Sequence, residues 1–226
     1  MSNEENKRLI VPQKFTRNHP ATTSVMSPDE AGKYLLSTVE ERTGRLLENS
    51  DILDIGCGTR FAASIINCNI RVGSYTGVDI YADMIDFLAT NTQNIPNLFF
   101  HFWNMKNDLY NPGGAPMGPD SSLPVDKKYD LVLFFSVFTH LNPADARIML
   151  KICRDVMKNT GQIFLTAFIN DKQEEDFIDL DPSRPLLKAV FSKRFFEKIV
   201  RESNLVVKGF HPPAKLMAHQ LVLGRE

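Results

Sequence analysis

The sequence has little that would force a special environment on it. It contains only three cysteines, Cys57, Cys68 and Cys153, an odd number at wide spacing. That argues against a disulfide framework and against a CxxC metal knot. Reduced thiols and a polar opening, MSNEENKRLI, with no apolar core for a signal peptide give cytoplasmic as the expected location. No apolar run approaches the length of a membrane span. Charge of one sign is missing as well: 26 basic and 27 acidic side chains leave a formal net charge of −1. Nothing in that balance demands nucleic acid or an anionic membrane as partner. There is no HExxH, no paired Cys–His cluster and no internal repeat, so no metal site is expected.

What is present is an ordinary core and a regular rhythm. Of the 226 residues, 43% are hydrophobic and 23% charged, enough for one domain to bury a core without staples. Residues 1–27 are polar, broken by Pro12 and Pro20, and read as an arm that is mobile or caps a site. Ser27-Pro28-Asp29-Glu30 has the order of a helix start, and Ala31, Tyr34, Leu35, Val39, Leu46 and Leu47 continue at roughly helical spacing.

Strands are predicted at 51–55, 74–80, 98–103, 129–137 and 162–168, with helices at 61–67, 82–89, 144–158 and 193–202. Runs such as LVLFF lack alternation, as strands buried on both faces do. Late strands at 205–210 and 220–223 stand too close for a crossover helix, so they pair antiparallel. The fold class expected is α/β: a Rossmann-like seven-stranded, mostly parallel sheet with helices on both faces and an antiparallel last strand. The domain spans 28–226, with irregular insertions at 107–128 and 170–191.

The chemistry concentrates in DILDIGCGTRF, residues 51–61. Ligands of open α/β sheets bind beyond the carboxyl ends of the strands, where the Gly56-Cys57-Gly58 turn sits. A dinucleotide would want G-x-G-x-x-G, and here the third glycine is missing. Asp54 would repel a pyrophosphate but suits a cation, such as an amino group or a sulfonium. Asp79, 25 residues later at the end of GVD, can accept from both hydroxyls of a ribose. A ribose, a positive centre and no phosphate describe S-adenosylmethionine. The plain structural alternatives are a strand-end acid capping the next helix at Asp54 and a solvent-facing turn acid at Asp79.

On LDIGCGT (53–59), YTGVDIYADMI (75–85), YDLVLFFSVFTHL (129–141) and GQIFLTAF (161–168), the chain resembles the class I S-adenosylmethionine-dependent methyltransferases. The resemblance covers about residues 30 to 226, and SVFTHL and NDLYNPGG look like a bacterial small-molecule subgroup. It implies S-adenosyl-L-methionine as cofactor and methyl transfer to an oxygen or nitrogen of a small molecule. Asp54 would bind the amino-acid end, with the backbone of Gly56, Cys57 and Gly58 beside it. Asp79 would hold the ribose and Ile80 would pack on adenine. Trp103, Asn104 and Met105 would face the adenine edge, and Ser136 would lie near the methyl group. Arg60 departs from the glycine usual there, by substitution or by deletion of one residue.

On the acceptor side, His140 follows strand four and could take a proton from an attacking hydroxyl or amine, or it could simply mark a helix entry before Asn142-Pro143. Tyr110 and Thr139 are the other substrate candidates. Base methylation is disfavoured: no Asn/Asp-Pro-Pro-aromatic segment follows strand four and no Pro-Cys pair occurs. Two other functions stay open: a cofactor-binding partner or regulator without turnover, and a nicotinamide dehydrogenase, which the missing glycine and Asp54 disfavour. The sequence names neither the acceptor nor an oligomeric state.

Overall fold

In the computed structural model, residues 8–16, 26–183, 188–213 and 218–226 are described. Helix α1 (Pro28–Thr43) starts on a reciprocal cap: Ser27 accepts from the Glu30 amide and the Glu30 carboxylate accepts from the Ser27 amide. Such a cap stabilises a helix by about 1 kcal/mol. The helix stops at Gly44, whose φ of 66° is left-handed. The helical spacing expected to run on to Leu47 therefore ends earlier, and Leu47 opens a short 3₁₀ turn instead.

The chain then alternates as β1 (Asp51–Ile55), α2 (Arg60–Asn67), β2 (Ser74–Asp79), α3 (Ala82–Thr92), β3 (Leu98–Phe102), β4 (Tyr129–Phe134), α4 (Pro143–Val156) and β5 (Met157–Asn170). Next come β6 (Phe177–Asp179), β7 (Ala189–Ser192), α5 (Lys193–Glu202), β8 (Leu205–His211) and β9 (His219–Arg225). The main sheet reads β3-β2-β1-β4-β5-β9-β8. Its first five strands pair in parallel, and β9 runs antiparallel to both β5 and β8. The antiparallel pairs follow from the short link between β8 and β9, which leaves no room for a crossover.

Strand β5 is longer than its apolar run predicts. It begins directly after α4, which ends at Val156 rather than at Lys158. Its far end carries a second, small sheet: β7 pairs in parallel with Phe168–Asn170, and β6 pairs antiparallel with β7. These two strands lie in the segment read as an irregular insertion, 170–191. Residues 1–7 and 17–25 of the arm and 184–187 of that insertion lie outside the described residues.

Three apolar clusters fix the layers. α4 and α5 pack Met149, Leu150, Phe196 and Ile199 against one sheet face, on Val132, Ile163 and Leu165. α1 and α2 pack Leu35, Val39, Phe61 and Ile65 against the other, on Ile52, Leu131 and Phe164. The third joins α2 and α3 to the arm, through Ala62, Ala63, Met84, Leu88, Leu9 and Phe15. The amino end of the sheet is closed by polar contacts instead. There Asp51 accepts from Lys127, Ser74 and Lys158, at 3.0, 2.6 and 2.9 Å. No helix of the described residues is long and apolar enough to cross a membrane.

Candidate active site

All the candidate chemistry lies at the other end, beyond the carboxyl ends of β1, β2 and β4. β1 runs directly into the glycine turn. The amides of Gly56 and Cys57 both donate to the Val78 carbonyl, at 2.8 and 3.2 Å, so the turn is tied to β2. Gly56 and Gly58 have φ of 71° and 52°, which side chains rarely adopt. At Gly56 a Cβ would also stand 2.5 Å from Val137 Cγ2. At Gly58, by contrast, nothing lies within 4 Å of where a Cβ would stand, so open space borders that part of the turn.

Two buried acids flank this turn. Asp54 is 1% exposed and Asp79 3% exposed. Asp79 accepts from the Gly58 amide through Oδ2 at 3.0 Å and from the Tyr81 amide through Oδ1 at 3.1 Å. Each oxygen retains a second lone-pair direction for a ligand hydroxyl. Asp54 accepts from the Tyr75 hydroxyl at 2.6 Å. Burial raises the Asp54 carboxyl to about 7; the Tyr75 hydrogen bond lowers it, and the nearby Asp79 charge raises it further. The Tyr75 hydroxyl is itself pushed well above its ordinary value, first by burial and then by Asp54.

From β4 the chain turns sharply. Ser136 is a non-glycine residue at φ 58°, a conformation costing about 1 kcal/mol or more. Its amide donates to Thr166 Oγ1 at 2.8 Å, which holds the turn against β5. A short 3₁₀ turn, Phe138–His140, follows, anchored by Phe138 between Phe134 and Phe196 at 5.3 and 6.0 Å. Asn142 then caps α4 by accepting from the Ala144 and Asp145 amides.

These parts meet in one cavity of about 810 Å³. Its wall includes Asp54, Gly56, Cys57, Gly58, Asp79, Ile80, Trp103, Met105, Tyr110, Ser136 and His140. Asn104 and Thr139 are not on it. After β3 the Met105 amide bonds to the Trp103 carbonyl at 2.7 Å, and this tight turn leaves Asn104 exposed, accepting from Asn111 Nδ2. Asn107 lines the cavity instead. Thr139 is buried at 4% exposure, and its hydroxyl has no hydrogen-bond partner among the described residues.

Sequence reasoning missed several wall residues. Leu9 and Phe15 come from the arm, and Phe135, Val137 and Thr166 from beside the β4 turn. Thr59 donates to the Phe15 carbonyl at 3.4 Å, so the arm reaches the glycine turn itself. Arg60 opens α2 and lines the cavity, with its Cγ 3.1 Å from where a Gly32 Cβ would stand; its burial draws its pKa down. Among the described residues no group of His, Cys, Asp or Glu could hold a metal ion.

Glycines at positive φ and two buried acids thus border one cavity at the carboxyl end of the sheet. The family described as a methyltransferase domain matches residues 53–163. Residues 53–163 are thus similar to a methyltransferase domain, and the chain has a Rossmann-like α/β fold. A protein of Invertebrate iridescent virus 6, 235L, provisionally assigned as a methyltransferase, is 22% identical over 135 residues. That match covers 60% of this chain and 43% of the viral protein, so the chain spans less than half of that relative. Among solved structures, the PH0226 protein of Pyrococcus horikoshii OT3 is similar with a TM-score of 0.60 at 17% identity, covering 96% of this chain and all of the other. The 1,6-didemethyltoxoflavin-N1-methyltransferase of Burkholderia thailandensis, solved with its acceptor and S-adenosylhomocysteine, is similar at 0.57 and 15%, covering 89% and 79%.

Proposed function

We propose that the protein is a cytoplasmic S-adenosylmethionine-dependent methyltransferase that acts on an oxygen or nitrogen of a small molecule, not on nucleic acid or a membrane. The carrying observation is that Asp54 and Asp79 flank the Gly56-Cys57-Gly58 turn on the wall of one cavity, together with Ser136 and His140. The residues present fit the cofactor, because the turn lines the cavity with bare backbone at Gly58, where nothing stands within 4 Å of a Cβ position, between two buried carboxylates. Asp54 takes the ammonium of the amino-acid end. Asp79 takes the ribose hydroxyls, and Ile80, Trp103 and Met105 border the adenine. When bound, the cofactor supplies a methyl group already activated on a sulfonium.

The chain's own task is then alignment and exclusion of water. Ser136 borders the transfer position, and Tyr110 lines the acceptor's part of the cavity. His140 accepts the proton that an acceptor hydroxyl or amine gives up. Residues 8–16 of the arm lie against α2 and α3 and cap the site. A second molecule, a small acceptor, suits the size of the cavity, which is near the upper end for small-ligand sites.

The test is methyl transfer from labelled cofactor to a panel of phenols, hydroxy acids and amines, with Asp79→Ala in parallel. Label in an acceptor, lost in the variant, is the expected result. Tight cofactor binding with no transfer to any member would favour a binding protein without turnover.

A further inference from the structure

Tyr75 is a buried polar side chain that this reading leaves without a task. It lies on β2, is 0% exposed, and would pass for a core aromatic. Its hydroxyl nevertheless donates to Asp54 Oδ2 at 2.6 Å, a short charge-assisted distance. The pairing depends on register. Ile52 stands opposite Tyr75 and Gly77 opposite Asp54, so the phenol reaches two positions along the sheet. Gly77 leaves no room for a side chain beside this pair: a Cβ there would come within 2.9 Å of both Cys57 Sγ and Phe100 Cδ1.

We infer that Tyr75 is a positioning residue: it holds one oxygen of Asp54 from beneath so that the carboxylate meets the cationic amino end of the cofactor ionised and fixed in direction. This inference rests on the cofactor reading above. A buried acid with a second acid nearby resists ionisation, and the phenol is the group beside it that favours the charged form. The other titratable groups around the pair are Asp79 from the end of β2 and Cys57 from the turn, with Arg60 lining the same cavity from α2. Ligand binding at neutral pH therefore draws Asp54 further toward its ionised form, and removal of the phenol makes that step harder.

The test is calorimetric titration of wild type, Tyr75→Phe and Asp54→Asn with S-adenosylhomocysteine between pH 6 and 9. 5′-Methylthioadenosine, which lacks the amino-acid end, is titrated in parallel. Wild-type affinity for S-adenosylhomocysteine should rise through about pH 7 and then level. Tyr75→Phe should bind it roughly tenfold or more weakly at pH 7, recover by pH 9, and bind methylthioadenosine as wild type does. Asp54→Asn should be weak and flat with pH. Equal pH profiles for wild type and Tyr75→Phe would overturn the inference, as would an equal loss of both ligands, which marks a merely structural role. Failure of wild type to bind either ligand would instead strike the cofactor reading.

Discussion

The carboxamide of Asn67, at the end of α2, grips Leu9 of the arm by both backbone groups: it accepts from the Leu9 amide at 2.8 Å and donates to the Leu9 carbonyl at 3.1 Å. The same Nδ2 donates to Asp29 at 3.0 Å, and Asp29 pairs with Arg8 at 3.1 Å. A single side chain thus acts as a strand partner for the arm and ties it to the start of α1. Phe15 completes the attachment between Tyr81 and Phe87, at 5.5 and 5.4 Å.

Asn67→Ala should therefore loosen the arm without unfolding the sheet. Two hydrogen bonds at a part-buried site are worth about 1–2 kcal/mol. Amide exchange over residues 8–16 should accelerate by about tenfold, while exchange in β1 and β4 stays slow. Cofactor affinity should fall by a smaller factor, because the arm supplies only one side of the cavity wall, with Leu9 and Phe15.

Gly56→Ala should be costly for two reasons that add, an unfavourable φ of 71° and a Cβ 2.5 Å from Val137. We expect about 2 kcal/mol of destabilisation, several degrees in Tm for a chain of this size, and loss of cofactor binding. Pairing it with Val137→Ala should restore part of the stability by making room. Thermal unfolding of the two variants measures the difference.

Two aspartates at opposite ends of β1 give opposite pH dependences. Asp54 is raised to about 7 in the fold, from 3.8. The fold then holds the extra proton, so this contribution is complete below pH 4 and is lost as pH rises to about 7. Asp51 is held well below the usual carboxylate range, first by Lys158 and then by Ser74. Its contribution is present above about pH 4 and is lost as pH falls. Asp51 is partly exposed and screened, so its share is ~1 kcal/mol or less. Urea unfolding of Asp54→Asn without ligand should show higher stability than wild type at pH 8, on the order of 2 kcal/mol, and little difference at pH 4. Asp51→Asn should show the reverse pattern: a loss at pH 8 that shrinks at pH 3.

His140→Ala should separate turnover from cofactor binding. The histidine is exposed on the cavity wall, beyond the end of β4, whereas Asp54 and Asp79 are buried at the ends of β1 and β2. A general base is worth about 10²-fold when the acceptor must lose a proton. The expected outcome in the transfer assay is a fall in kcat of that order, with unchanged affinity for S-adenosylhomocysteine. A larger loss for phenols at low pH than at high pH would follow from the same role.

Much of this was legible in the sequence because burial leaves a plain trace. LVLFF and SYTGVD carry no alternation since both faces are covered, and the glycine turn with its two acids is contiguous with those strands. The helix start at Ser27 was equally readable, since a cap is local chemistry. The parts that escaped depend on distant pairing. β6 and β7 are three and four residues long, and their partners lie across a polar segment. Asn104 is turned outward by one tight turn, which no pattern of residue types announces. Nothing in the sequence sets Tyr75 apart from other strand aromatics; only the structure shows its hydrogen bond to Asp54, two positions along from its register partner Ile52.

The most direct test of the account is calorimetric titration of the purified protein with S-adenosylhomocysteine and with NADH, repeated on Asp79→Ala. The account predicts micromolar binding of S-adenosylhomocysteine, loss of that binding in the variant, and no binding of NADH. Binding of NADH in preference, or S-adenosylhomocysteine binding that survives Asp79→Ala undiminished, would contradict it.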